Sequence, residues 1–183
     1  MKARNTGRGI RLAGWLLLMG CATGLLAQGT STGELRGQLS ERDYRFAAEA
    51  ARGGMAEVQM GQLAIQKGAN PTVRSFGQRM VTDHSQADHQ LTQVLAQKGA
   101  SPPANLSTGD RLTLGRLENL SGANFDKAYA EDMVKDHEKD VKDFEKNIPQ
   151  VADPELKAWA EKTLPILQQH LSLARQMQNA ASN

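Results

Sequence analysis

Four stretches of this chain place inward residues three and four apart over many turns, and each stretch ends at a glycine or proline break. That spacing marks one face of an α-helix. The rows read Phe46, Ala50, Gly53, Glu57, Met60/Gly61, Ala64; Val73, Phe76, Met80, His84, Ala87, Leu91, Val94/Leu95; Phe125, Tyr129, Met133, His137, Val141, Phe144, Ile148; and Leu156, Trp159/Ala160, Thr163, Leu167, His170, Ala174, Met177. No stretch alternates with the period of two that a half-buried strand requires. Four such helices must bury their faces against one another, which predicts an all-α antiparallel four-helix bundle.

Local signals set the boundaries. Ser40 is a candidate N-cap for a helix over 41–67. Gly68-Ala69-Asn70-Pro71 ends it and places Pro71 in the first turn of a helix over 71–98. Gly99 to Pro103 breaks the chain, and Ser107 with Asp110 opens a short extra helix over 107–120. A third long helix is expected over 125–147 after the break at Ser121 to Asn124, and a fourth over 154–177, with Pro165 predicted to kink it. The domain organisation is then 1–27 leader, 28–40 flexible tether, 41–178 bundle and 179–183 disordered tail.

The leader explains the charge. Lys2, Arg4, Arg8 and Arg11 are four of the 22 basic residues and no acid accompanies them; without them 18 bases face 20 acids. A basic start followed by the apolar run Leu12–Met19 is the pattern of an export signal, so the mature chain is expected in the periplasm. Leu18-Met19-Gly20-Cys21 is similar to a lipobox, which would make Cys21 a lipidated N-terminus and anchor the protein to the membrane; cleavage near Ala27 is the other reading. Cys21 is the chain's one cysteine, so the bundle has neither a disulfide nor a thiolate metal site. The mature charge excludes a nucleic-acid footprint. An envelope protein partner fits this address, and the oligomeric state is left open.

Polar residues inside the apolar rows carry the functional reading. Three of the four histidines, His84, His137 and His170, fall on inward rows, one per helix, and Glu57 takes the same kind of place on the first. At about 1.5 Å per residue, Glu57, His84 and His137 are level, whereas His170 falls roughly 9 Å away. Imidazoles with a carboxylate suit iron, manganese or zinc, and Met80/His84 and Met133/His137 add a thioether variant suited to copper. Asp83 and Asp136 precede two of the histidines and are candidates to orient the rings. The other reading is a hydrogen-bonded network that fixes helix register without metal. The segment Met80–His84 also repeats as Met133–His137 at an offset of 53 residues, which would place the two Asp-His pairs equivalently. There is no glycine-rich phosphate loop and no serine motif beside a base, so nothing points to an enzyme.

Gly54-x-x-Glu57-Val58-x-x-Gly61-x-x-Ala64, Met80-Val81-x-Asp83-His84, Phe125-Asp126-x-x-Tyr129, Met133-Val134-x-Asp136-His137 and Thr163-Leu164-Pro165-x-Leu167-x-x-His170-Leu171 together resemble the bacterial exported family called domain of unknown function 4142. The resemblance spans about Asp43 to Met177. It implies a ferritin-like bundle and no established activity. The chain departs from catalytic di-iron ferritin-like proteins, which use Glu-x-x-His, because Val81, Val134 and Leu167 stand three residues before the histidines.

Overall fold

The computed structural model describes residues 35–181; the expected leader with Cys21, the tether up to residue 34 and the last two residues lie outside the described residues. The elements are α1 Glu41–Lys67, α2 Pro71–Gln97, α3 Thr108–Glu118, α4 Gly122–Asn147, a 3-10 turn Ile148–Gln150, and α5 Pro154–Ala181. The starts follow the capping chemistry of the sequence. The Ser40 side chain accepts from Asp43 N, Asn70 accepts from Thr72 N with Pro71 in the first turn, and Ser107 with Asp110 closes a reciprocal capping box.

The direction of each helix follows from what its two halves bury. One core cluster joins Tyr44 and Ala47 at the start of α1, Leu91 and Leu95 at the end of α2, Phe144 at the end of α4, and Leu156 to Leu167 at the start of α5. The other joins Met60 and Ala64, Val73 and Met80, Phe125 and Met133, and Ala174 and Met177 from the opposite halves. Helices α1 and α5 therefore run one way and α2 and α4 the other. Each helix packs on antiparallel neighbours, in the ring α1–α2–α5–α4.

That arrangement departs from the up-and-down order that four helices joined by short connections would take. Because α2 and α4 are parallel, residues 98–121 must travel the length of the bundle, from Ala100 in the first cluster to Leu114 and Leu117 in the second. Ten extended residues at up to about 3.3 Å each and a short helix at about 1.5 Å per residue span the roughly 40 Å of a 27-residue helix. Helix α3 lies over α1 and α4. One long crossover of this kind is the ferritin-like topology.

Two other boundaries differ from the sequence reading. The tether is packed from Leu35 onward: Leu39 is in the core, Gln38 N donates to Lys98 O, and Ser101 N donates to Leu35 O. Gly37 makes this possible, since its φ is +56° and a Cβ there would strike the Lys98 carbonyl. The C-terminal segment stays helical to Ala181. Helix α5 also runs through Pro165 without interruption. Pro165 and Glu161, whose carbonyl loses its helical donor, are both exposed, which leaves that carbonyl open to solvent. No helix among the described residues is long and apolar enough to cross a membrane.

Two buried carboxylates hold the ends of the bundle. Asp43 accepts from Ala152 N at 3.2 Å and Asp153 N at 3.1 Å, fixing the α4–α5 connection. Asp126 accepts from Ala69 N at 3.0 Å and Asn70 N at 2.8 Å, fixing the α1–α2 connection. Replacing Asp126→Ala removes both acceptors from two helix-start donors. The expected loss is about 1–2 kcal/mol in urea unfolding with helical content unchanged; a loss under about 0.5 kcal/mol would show that water replaces the clamp.

Candidate metal centre

The two apolar clusters leave a polar layer between them, and every helix of the ring supplies one residue to it. Glu57 comes from α1, His84 from α2, His137 from α4 and His170 from α5; their exposures are 1%, 5%, 0% and 0%. The His84–His137, His84–His170 and His137–His170 ring centroids are 5.9, 5.2 and 5.4 Å apart. One nitrogen from each ring can be chosen so that all three lie within 4.8 Å of one another. Glu57 lies against two of the rings, with Oε2 2.9 Å from His84 Nδ1 and Oε1 3.2 Å from His137 Nε2.

His170 thus joins the layer that residue counting had placed it outside. The count stopped at the end of α4, but the chain continues first. Ten helical residues from His137 to Asn147, a 3-10 turn of three and the extended Val151 advance about 24 Å, which matches the sixteen helical residues from Pro154 to His170.

Hydrogen bonds fix two of the rings. His137 Nδ1 is 2.9 Å from the Met133 carbonyl oxygen, which only accepts, so Nδ1 carries the proton and Nε2 the lone pair. His170 Nε2 donates to Asp83 Oδ2 at 2.8 Å, leaving its lone pair on Nδ1. Asp83 therefore orients His170 across the α2–α5 interface, not the adjacent His84. Asp136 takes a different place: it groups with Glu57 and Asp140, whose carboxylate oxygens lie within 4.8 Å of one another. The repeated Asp-His pairs are not equivalent, because α2 and α4 have different neighbours on the faces that carry the acids.

His84 Nε2, His137 Nε2, His170 Nδ1 and both Glu57 oxygens are buried without a hydrogen-bond partner; the short Glu57 contacts lack hydrogen-bond alignment. Leaving such atoms unpaired costs on the order of 1–3 kcal/mol each. They are mainly acceptors, and a water has only two protons to donate. A cation satisfies converging acceptors better than a water does. Closing nitrogens no more than 4.8 Å apart onto one ion at about 2.0–2.1 Å needs shifts below an ångström.

Burial sets the protonation of the layer. It pushes Glu57 up to about 8, against the nearby His137 and with the help of Asp136 and Asp88. It pushes His84 and His170 down to about 4 and lowers His137 as well. At neutral pH the imidazoles are therefore uncharged, the form that ligates metal. Sequence reading placed Tyr129 on an inward row and missed two further members of the surroundings, Asp140 and Asp88. Asp140 lies one turn beyond Asp136 on a half-buried face. Asp88 packs on Gly54, where a Cβ would run into its carboxylate. Tyr129 keeps a fully buried, unpartnered hydroxyl. Both missed aspartates had the same signal, an i,i+4 spacing: Asp140 from Asp136 and Asp88 from His84.

The model of a family described as "Domain of unknown function (DUF4142)" matches residues 28–177. No curated protein matches the chain in sequence. Among solved structures, CopM in the Cu(II)-bound form is similar with a TM-score of 0.65 and 15% identity, over 75% of this chain and 96% of that one. A DUF305 fragment from Deinococcus radiodurans is similar with a TM-score of 0.67 and 14% identity, over 79% and 97%. CopM in the Cu(I)-bound form has a TM-score of 0.63 and 17% identity, over 73% and 93%. At these identities the likeness shows the fold, a helical bundle.

The raised Glu57 predicts a pH dependence for metal-free protein. A carboxyl raised from 4.5 to about 8 by folding holds a proton that the unfolded chain has released, so its contribution is lost as pH rises through that window. The lowered histidines act in the opposite sense, between their ordinary 6.5 and about 4. Between pH 6.5 and 8 the carboxyl effect stands alone, up to roughly 2 kcal/mol, or a fall of several degrees in melting temperature. Glu57→Gln should flatten most of that slope in calorimetry. An unchanged slope in the variant would contradict the assignment.

Proposed function

The chain belongs to the DUF4142 family, which fixes no activity, and on the geometry of its core we propose that it is an exported metal-binding protein holding a transition-metal ion with His84, His137 and His170, and with Glu57 as the carboxylate beside them. The observation that carries this reading is that three buried rings each bring a nitrogen within 4.8 Å of the other two and each keep one partnerless nitrogen, with two of the rings donating from their second nitrogen to a carboxylate or a backbone carbonyl. That outward bond is the feature that fixes the tautomer of ligating histidines.

Three neutral imidazoles favour Cu2+ and Zn2+ over Mn2+ and Fe2+. The copper-bound forms of CopM support copper as the first ion to test, since that protein holds it on a similar bundle. Met80 and Met133, each fully buried one turn before a histidine, would extend the site towards Cu(I). The basic leader and its apolar run support export to the cell envelope, with Cys21 as the anchor if it is lipidated.

Untagged protein, stripped and reloaded, should take up about one Cu2+ or Zn2+ per chain in calorimetric titration. His137→Ala and His170→Ala should each abolish tight uptake. Asp83→Asn should weaken it by about 10–100-fold, because the His170 tautomer is no longer fixed. If stripped protein binds no ion and the histidine variants change only the melting temperature, the layer is a hydrogen-bonded network that fixes helix register.

A further inference from the structure

We infer that Glu57, Asp136 and Asp140 form a second, all-oxygen site for a divalent cation, sharing Glu57 with the histidine centre. This rests on the metal reading of that centre for the bridging role of Glu57, and on its own geometry for the rest. Asp136 and Asp140 lie one turn apart on α4 and present carboxylates on one face. Each has an oxygen within 4.8 Å of the other and of a Glu57 oxygen. Glu57 is 1% exposed and neither of its oxygens has a hydrogen-bond partner. An acidic cluster at the surface would be ordinary; here one of the three carboxylates is sealed in the core.

The surroundings favour a cation from solvent. Asp136 and Asp140 line a cavity of about 680 Å³ beneath the crossover segment, together with Asp110 and Arg52. The ammonium of Lys139 is 3.7 Å from Asp140, but it is closer to Asp143, at 3.1 Å, and its side chain is 62% exposed. It can leave Asp140 for Asp143 at little cost when an ion arrives.

The donor set decides the ion class. Three carboxylates select a hard divalent ion such as Mn2+ or Mg2+, whereas the imidazoles select Cu2+ or Zn2+. A carboxylate between two ions bridges them at about 3.5–4 Å. The structure therefore supplies two unlike halves, nitrogen on the inner side of Glu57 and oxygen on the outer side.

Mn2+ is the probe, followed by loss of its free electron-paramagnetic-resonance signal. Protein carrying one equivalent of Zn2+ should take up about one further Mn2+. Asp136→Asn and Asp140→Asn should each weaken that uptake at least 10-fold while changing Zn2+ affinity by less than about 3-fold. Both variants should melt at or above the wild-type temperature, since they remove repulsion. Absence of Mn2+ uptake by wild type, or equal uptake by the two variants, overturns the second site. Titration of Mn2+ into Zn2+-free protein separates the two readings: Asp140-dependent Mn2+ uptake by a chain that binds no Zn2+ keeps the carboxylate site and sinks the histidine one.

Discussion

A carboxylate placed at the middle of an apolar bundle governs the rest of this structure. Glu57 cannot remain charged there alone, since an isolated ion in a low-dielectric core costs far more than a domain's net stability. It must keep its proton or face a cation. Either way it needs polar company, and each other helix of the ring supplies a histidine. The polar layer then divides the core into two apolar clusters. Each cluster holds one end of the bundle, and each end has a buried aspartate fastening the connection between two helices. Asp43 and Asp126 are the structural counterweight to Glu57: carboxylates equally buried, but with their acceptors filled by backbone donors. The contrast separates a carboxylate built for stability from one left open to a ligand.

The four helices were legible in the sequence because each buries one face and breaks at glycine or proline. The row Leu156, Trp159/Ala160, Thr163, Leu167, His170, Ala174, Met177 is buried at every position. Periodicity carries no information about which helix stands beside which, however, and so the crossover was missed. The level placement of His84 and His137 survived that error. His84 stands at the midpoint of α2 and His137 near the middle of α4, so the two are roughly level whether the helices run parallel or antiparallel. His170 was misjudged because a 3-10 turn and an extended residue add length that a helix count omits. Asp140 was missed because its face is half-buried, and the search for inward residues looked only at the centre of each row.

The ferritin-like topology brings four inward positions to one level, and what occupies them decides the chemistry. Bundles that do di-iron chemistry set glutamates and Glu-x-x-His pairs around two irons inside the core. Here Val81, Val134 and Leu167 occupy the positions that such pairs would need, so the inner site is rich in nitrogen. The missing carboxylates are not absent from the fold. Asp136 and Asp140 stand outside the ring, under α3, and only Glu57 reaches between. The internal repeat obscured this difference. Asp83 and Asp136 have the same neighbours in sequence, but α2 presents its aspartate to α5 and α4 presents its own to the crossover segment.

Sharing one carboxylate couples whatever the two sides bind. An ion on the histidines favours the deprotonated form of Glu57, because its positive charge opposes the desolvation that keeps the proton on. Deprotonation makes the outer trio more negative and improves it for a second cation. By linkage, an ion on the outer trio must strengthen binding at the histidines by the same factor. Repulsion between the two cations works against this, and it grows as the bridge shortens. The net sign depends on how Glu57 divides its oxygens. In the structure both oxygens face imidazoles, at 2.9 and 3.2 Å, so the inner side holds the stronger claim. If both sides bind ions, the outer trio would draw on an oxygen that already faces an imidazole, so the histidine centre would fill first and the carboxylate site would respond to it.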